Sequence, residues 1–354
     1  MASSSTSARR RVPGVPPTRR AELLAALSLA IDLGLGQPME HMLRSCVLGT
    51  RVTRLLGLDQ AQQERIYYAT LLSWIGCHAD SYELAGVFGD DIGFRAGTYT
   101  IDKRGIPLIR FMLSQAATDP RWTVRTAQTL EFLATGRKTM DRVIRSHCIS
   151  AGVLAKHVGT DAEVAGLLAY AFERWDGAGL PDGVRHDAIP LEMRVVHLCD
   201  TVEVHLRERG SDATITMLKA RRGTQFDPDL VDAILSETDE LFDGLMESDA
   251  WETALANAPS EPPLDENELS TSLTAIGDFA DLKSPYTAGH SRAVAALAAN
   301  AARGAGLDLE QQRDLHWAGL VHDLGRLGVS NSVWDKQSPL TTSELERVRL
   351  PPYY

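Results

Sequence analysis

The sequence predicts an all-α protein in which one helical pattern is written twice, the second time incompletely. Three observations carry this. Apolar residues recur at spacings of three and four through most of the 354 residues, while alternating β-branched runs are scarce. A set of identical residues returns at one fixed, ungapped shift. Between the two copies lies "TALANAPSEPPLDEN", Thr253 to Asn267, whose three prolines and several acids read as a linker.

Taken in order, residues 1–20, "MASSSTSARRRVPGVPPTRR", read as a disordered basic tail carrying Arg9, Arg10, Arg11, Arg19 and Arg20. A weak nucleic-acid or lipid contact is the other reading of that cluster. The first unit spans 21–252. It opens with "AELLAALSLAIDLGLG", which carries Glu22 and Asp32 and falls short of the run of about 18 apolar residues that reads as a bilayer span. The helical period continues in "EHMLRSCVLGTRVTRLLGL", "AQQERIYYATLLSWIG", "HCISAGVLAKHVG" and "AEVAGLLAYAFERW". The acidic "SETDELFDGLMESDAWE" reads as a solvated helix face. After the linker at 253–267, the second unit occupies 268–354. It offers two helices, "GHSRAVAALAANAARGAG" and "LEQQRDLHWAGLVHDLG", separated by a "GLD" turn.

A net charge of −11 gives no global basic field for DNA or an anionic membrane, and no recognition-helix signature appears. No secretory signal is visible. Cys46, Cys77, Cys148 and Cys199 are scattered and form no C-x-x-C pair, the pattern of a cytoplasmic chain with reduced thiols.

The repeat appears when His41 is set over His290, a shift of 249 (290 − 41). "GLDQ" at 57–60 then falls on "GLDL" at 306–309, Gln62 and Gln63 on Gln311 and Gln312, Ala69 on Ala318, and Gly76 on Gly325. The same shift lays Ser73-Trp74 on His322-Asp323, so one copy alone keeps a metal-type pair. The antiparallel helices of the second unit would bring His290 beside that pair. Imidazole nitrogen and carboxylate oxygen suit Mn, Fe or Zn. Such an ion lowers the pKa of a bound water and polarises a phosphoryl oxygen. Arg326, one turn on, is placed to meet a phosphate. The alternative is a capped helix end whose Asp bonds locally.

"HDLGRLGVSNSVWDKQSPLTTSELERVRLPPYY" resembles the HD-GYP branch of the HD phosphohydrolase superfamily. That resemblance implies an all-α HD-domain bundle, divalent metals, and hydrolysis of cyclic di-GMP or a related phosphoester. It places metal ligands at His290, His322 and Asp323, with catalytic roles for Asp323 and for Arg326, where the family usually has Lys. It sets the next ligand His at Pro351, which has no side-chain donor. In the first unit, "SHCISAG" and "FERWDGAGLPDGVRHDAIPLEMRVVHLCDTVEVH", with "GTQFDPDLVDAIL", resemble the family's later motifs, with His41, His147 and Asp200 at ligand positions. Departures are severe: Ser73 and Trp74 replace the His-Asp pair, Ala171 and Phe172 the His-His pair, Leu180 the Tyr of GYP, and Cys77 the Lys.

His41, His147 and Asp200 are thus candidate ligands for one metal, with His78 and Asp80 as additions if their turn bends inward. The opposing reading is a scaffold whose former ligands are satisfied core polar groups, with Trp74 and Phe172 filling the pocket. Three functions follow as expectations: a phosphohydrolase relative of impaired activity, a non-catalytic nucleotide-binding or dimerising scaffold, and a fragment of a larger helix-turn-helix regulator. A cyclic dinucleotide and a second copy of the chain are the candidate partners.

Overall fold

The computed structural model describes residues 17–116 and 122–353. Arg9, Arg10 and Arg11 of the expected tail lie outside those residues. Helices follow in the order α1 (Arg20–Leu35), α2 (His41–Leu55), α3 (Gln60–Leu72), α4 (Ser81–Phe88), α5 (Asp91–Thr98), α6 (Gly105–Ala116), α7 (Trp122–His157), α8 (Ala162–Leu167) and α9 (Leu191–Arg221). Then come α10 (Pro228–Ser236), α11 (Thr238–Phe242), α12 (Ala250–Ala256), α13 (Glu266–Asp281), α14 (His290–Gly304), α15 (Leu309–Val321), α16 (Asn331–Trp334) and α17 (Thr342–Arg349). No strand occurs among the described residues, so the all-α prediction holds.

The repeat is real at the level of hydrogen bonds. At the shift of 249 read from the sequence, α2 and α14 begin and end together, as do α3 and α15. Asp59 caps α3 in a reciprocal box with Gln62, and Asp308 caps α15 the same way with Gln311. Gln63 Nε2 donates to the Leu58 carbonyl at 2.8 Å, and Gln312 Nε2 to that of Leu307 at 2.7 Å. Buried Asp32 accepts from the Met42 amide at 3.2 Å, and buried Asp281 from the Ser291 amide at 3.0 Å. Identical polar residues recur because each satisfies the equivalent backbone group in its own copy, an orphaned N–H at a helix start for Asp59 and Asp308 and a turn carbonyl for Gln63 and Gln312.

The two copies share one apolar core. Ala275, Ile276 and Phe279 of α13, and Leu327 beyond α15, are buried in the same cluster as α1, α2, α3 and α9. Packing is reciprocal: the 3₁₀ turn Leu324–Gly328 lies on α1, while its counterpart, Ile75–Asp80, touches α13. The stretch read as a linker is helical at both ends, since Thr253–Ala256 belongs to α12 and Glu266 starts α13. Only 257–265 is irregular, and the Leu264 amide there donates to the Thr18 carbonyl at 2.8 Å. Arg19 and Arg20, assigned to the tail from the sequence, instead begin α1, where Arg20 pairs with Glu261 at 2.8 Å.

Gly76 and Gly325 are close-approach positions. A methyl on Gly76 would strike the His147 carbonyl, and one on Gly325 the Pro351 carbonyl. Gly325→Ala is therefore expected to cost about 1–3 kcal/mol by overpacking. Gly304→Ala, where nothing lies near the added carbon, is expected to be neutral or slightly stabilising. Urea unfolding of the two variants checks the contrast.

Candidate metal centre

His290 is the first residue of α14, and His322 and Asp323 follow the last residue of the adjacent, antiparallel α15. Because α14 and α15 are joined by a short turn and packed together, the start of one meets the end of the other. His290 Nε2 lies 3.4 Å from Asp323 Oδ2, and His322 Nε2 lies 3.5 Å from Asp323 Oδ1. One donor atom from each residue fits within 4.8 Å of the others, the one such group of three His, Cys, Asp or Glu residues among those described.

The His322 Nδ1 contacts the Gly319 carbonyl at 2.9 Å. A carbonyl can only accept, so Nδ1 donates, and Nε2 is the ring nitrogen turned toward Asp323. An outer hydrogen bond of this kind is how a metal-binding imidazole is oriented. The three side chains are partly solvent-accessible, leaving room for water or a ligand atom. Two imidazole nitrogens and a carboxylate are a donor set for a divalent first-row metal, so the residues present fit such an ion.

Arg326 Nη1 donates to Asp323 Oδ2 at 2.9 Å, and its guanidinium stacks 4.5 Å from the Trp334 ring centre. Beside them a cleft is lined by Lys283, Ser284, Thr287 and Asn331. Pro351 sits against Gly325 as His147 sits against Gly76. Pro351 thus holds in the second unit the place that His147 holds in the first, without a side-chain donor.

The first unit arranges the corresponding residues differently. His41 and Asp200 do meet, but as an ion pair: His41 Nε2 is 3.2 Å from Asp200 Oδ1, and Nδ1 is 2.5 Å from Glu203 Oε2. Burial works against a charged His41, yet the Glu203 and Asp200 carboxylates outweigh it and hold its pKa up at about 10. Trp74 fills the space beside it: its Nε1 donates to Asp200 Oδ1 at 2.8 Å, and Tyr99 adds a second donor at 3.2 Å. The Lys103 ammonium lies over both rings, at 5.4 Å from Trp74 and 5.1 Å from Tyr99.

His147 does not join His41 and Asp200. It is enclosed by Phe172 and Trp74, with ring centres at 4.8 and 6.0 Å, and burial pushes its pKa down to about 3. His78 and Asp80 add nothing to a centre. Asp80 is held by Arg95 at 2.6 Å, and His78 is buried against Gly34 and the Phe279 ring. Of the candidate set His41, His147 and Asp200, the structure thus brings His41 and Asp200 together without His147, in a closed core that also holds Trp74, Tyr99 and Lys103. Sequence reasoning identified Trp74 and Phe172 as pocket fillers but missed Glu203, Tyr99 and Lys103. Glu203 was findable, three residues after Asp200 on one helix face; nothing periodic marks the other two.

Comparison with known proteins agrees with this architecture. The HD domain family matches residues 132–230. The chain belongs to the HD family, in its HD-GYP branch, whose phosphohydrolases depend on divalent metals. It is 30% identical to the 3′3′-cGAMP-specific phosphodiesterase 3 of Vibrio cholerae over 93% of this chain and 72% of that protein. A crystal structure of a cyclic GMP-AMP specific phosphodiesterase from V. cholerae is similar at a TM-score of 0.69 and 28% identity, covering 94% of this chain and 77% of the other. A shorter match, 42% identical over 21% of each chain, is to the cyclic di-GMP phosphodiesterase response regulator RpfG of Xanthomonas campestris pv. campestris. No described helix is long and apolar enough to cross a membrane.

Proposed function

We propose that the second unit binds a divalent metal through His290, His322 and Asp323 and holds a cyclic dinucleotide phosphoester beside it, with low turnover. On this reading the first unit is a non-catalytic scaffold. The observation that carries it is the convergence of three donors in the second unit, with the His322 ring oriented by the bond from its Nδ1 to the Gly319 carbonyl. The similarity to cyclic-dinucleotide phosphodiesterases supplies the ligand class.

A metal bound there supplies a polarised phosphoryl oxygen and a water of lowered pKa. Asp323 serves as ligand and fixes Arg326 through their 2.9 Å hydrogen bond. Arg326, braced on Trp334, presents its remaining N–H groups to a phosphate oxygen. Low turnover is assigned to Pro351, which leaves one ligand position without a donor.

Manganese-loaded protein is expected to bind 3′3′-cGAMP or cyclic di-GMP in calorimetry and to linearise it slowly. Pro351→His should speed linearisation about tenfold or more, the scale of effects at positions supporting a metal. Absence of binding to both nucleotides would overturn the reading.

A further inference from the structure

The degenerate first unit reaches the second unit's cleft through one buried carboxylate. Asp91, the first residue of α5, is wholly buried yet collects four donors. Its Oδ1 accepts from Ser330 Oγ at 2.7 Å and from the Asn331 amide at 3.0 Å. Its Oδ2 accepts from Arg95 Nη1 at 3.1 Å and from Lys283 Nζ at 3.4 Å. Burial alone would neutralise Asp91, but Lys283 and Arg95 hold its carboxyl well below the usual range. Three of those four donors come from the second unit.

Two of the residues so held line the cleft that also contains Asp323, Arg326 and Trp334. Lys283 is almost fully buried, and Asp91 is the one hydrogen-bond partner of its ammonium among the described residues. An ammonium has three N–H donors, so two are unspent. Asn331 donates its Nδ2 to the Lys283 carbonyl at 2.5 Å, while its buried Oδ1 has no partner. A buried polar group without a partner is costly unless a ligand or water completes it. The cleft thus holds two cations of different reach, Lys283 and Arg326, the carboxylates of Asp281 and Asp323, and one open acceptor.

We propose that Lys283 is a phosphate-binding residue of this cleft and that Asp91, from the first unit, is the positioning residue that holds it there. The open Asn331 oxygen then accepts from a hydroxyl or base N–H of the same ligand. This rests on the ligand reading given above, and its test separates the two. In this arrangement the first unit acts on the second site through position, with no metal of its own.

The test uses the full manganese-loaded chain, with inorganic phosphate and 3′3′-cGAMP as probes in calorimetry. Lys283→Met is expected to weaken both probes about tenfold, the loss of one charge-assisted hydrogen bond, with manganese content unchanged. Asp91→Asn should weaken them to a similar degree. With inorganic phosphate, which meets Lys283 and not the Asn331 oxygen, the double variant should be no weaker than Lys283→Met alone, because Asp91 reaches that probe through Lys283. A merely structural Asp91 would add its full effect to that of Lys283→Met, which would overturn its positioning role. Should Asp91→Asn not fold, Ser330→Ala, which removes one of its donors, takes its place in the same comparison. Wild-type affinity in Lys283→Met overturns the inference while leaving the proposed function intact. A wild-type chain that binds phosphate but no dinucleotide overturns the ligand reading, and the phosphate arm then decides on Lys283. A chain that binds neither overturns both.

Discussion

Replacing His290 and His322 together by alanine is expected to reduce bound Mn, Fe or Zn from about one ion per chain to trace levels. One carboxylate remains, and Asp323 is already engaged by Arg326. Three donors hold an ion in an open site, whereas a single surface carboxylate does not. His147→Ala in the first unit should leave the metal content unchanged, because His147 is a neutral imidazole enclosed by Trp74 and Phe172. Elemental analysis of protein purified without a tag reads both variants. The pair of results matters more than either, since it assigns the ion to one copy of the repeat.

His41→Ala should cost stability rather than metal. His41 is wholly buried between Asp200 and Glu203, and its removal takes the imidazole from two buried carboxylates, of which Asp200 keeps the Trp74 and Tyr99 donors and Glu203 keeps Arg207 at 3.0 Å. Breaking a buried pair from one side typically costs about 3–5 kcal/mol. The pH dependence has a definite sign. With a folded pKa of about 10, His41 contributes fully below its unfolded value of about 6.5 and loses that contribution as pH rises through about 10. Asp200 and Glu203, held low by His41, contribute above about pH 4 and lose it as pH falls. His147, pushed down to about 3, removes stability as pH falls below about 6.5. Urea midpoints should therefore peak near neutrality, and His41→Ala should flatten the alkaline side. An unchanged alkaline slope would contradict the buried imidazolium.

The helical fold and its repeat were legible because capping chemistry is local. Asp308 with Gln311 satisfies the same helix start as Asp59 with Gln62, so the same letters recur. The second-unit triad was legible for a similar reason: a helix hairpin of known length brings its two ends together, and His290, His322 and Asp323 sit at those ends. The first unit was harder. Whether His41, His147 and Asp200 form a centre depends on what enters between them, and the Trp74 indole bond to Asp200 is a tertiary fact. Tyr99 and Lys103 complete the closed core from segments far from Asp200 in the chain. Asp91 was invisible in the sequence because its partners Lys283, Ser330 and Asn331 lie in the other copy.

The measurement that bears most directly on the account is anomalous diffraction from manganese-soaked crystals of the chain. The expected result is one peak between His290, His322 and Asp323, with none near Trp74. A peak beside His41 and Asp200, or none at the second-unit triad at full soaking, would contradict it.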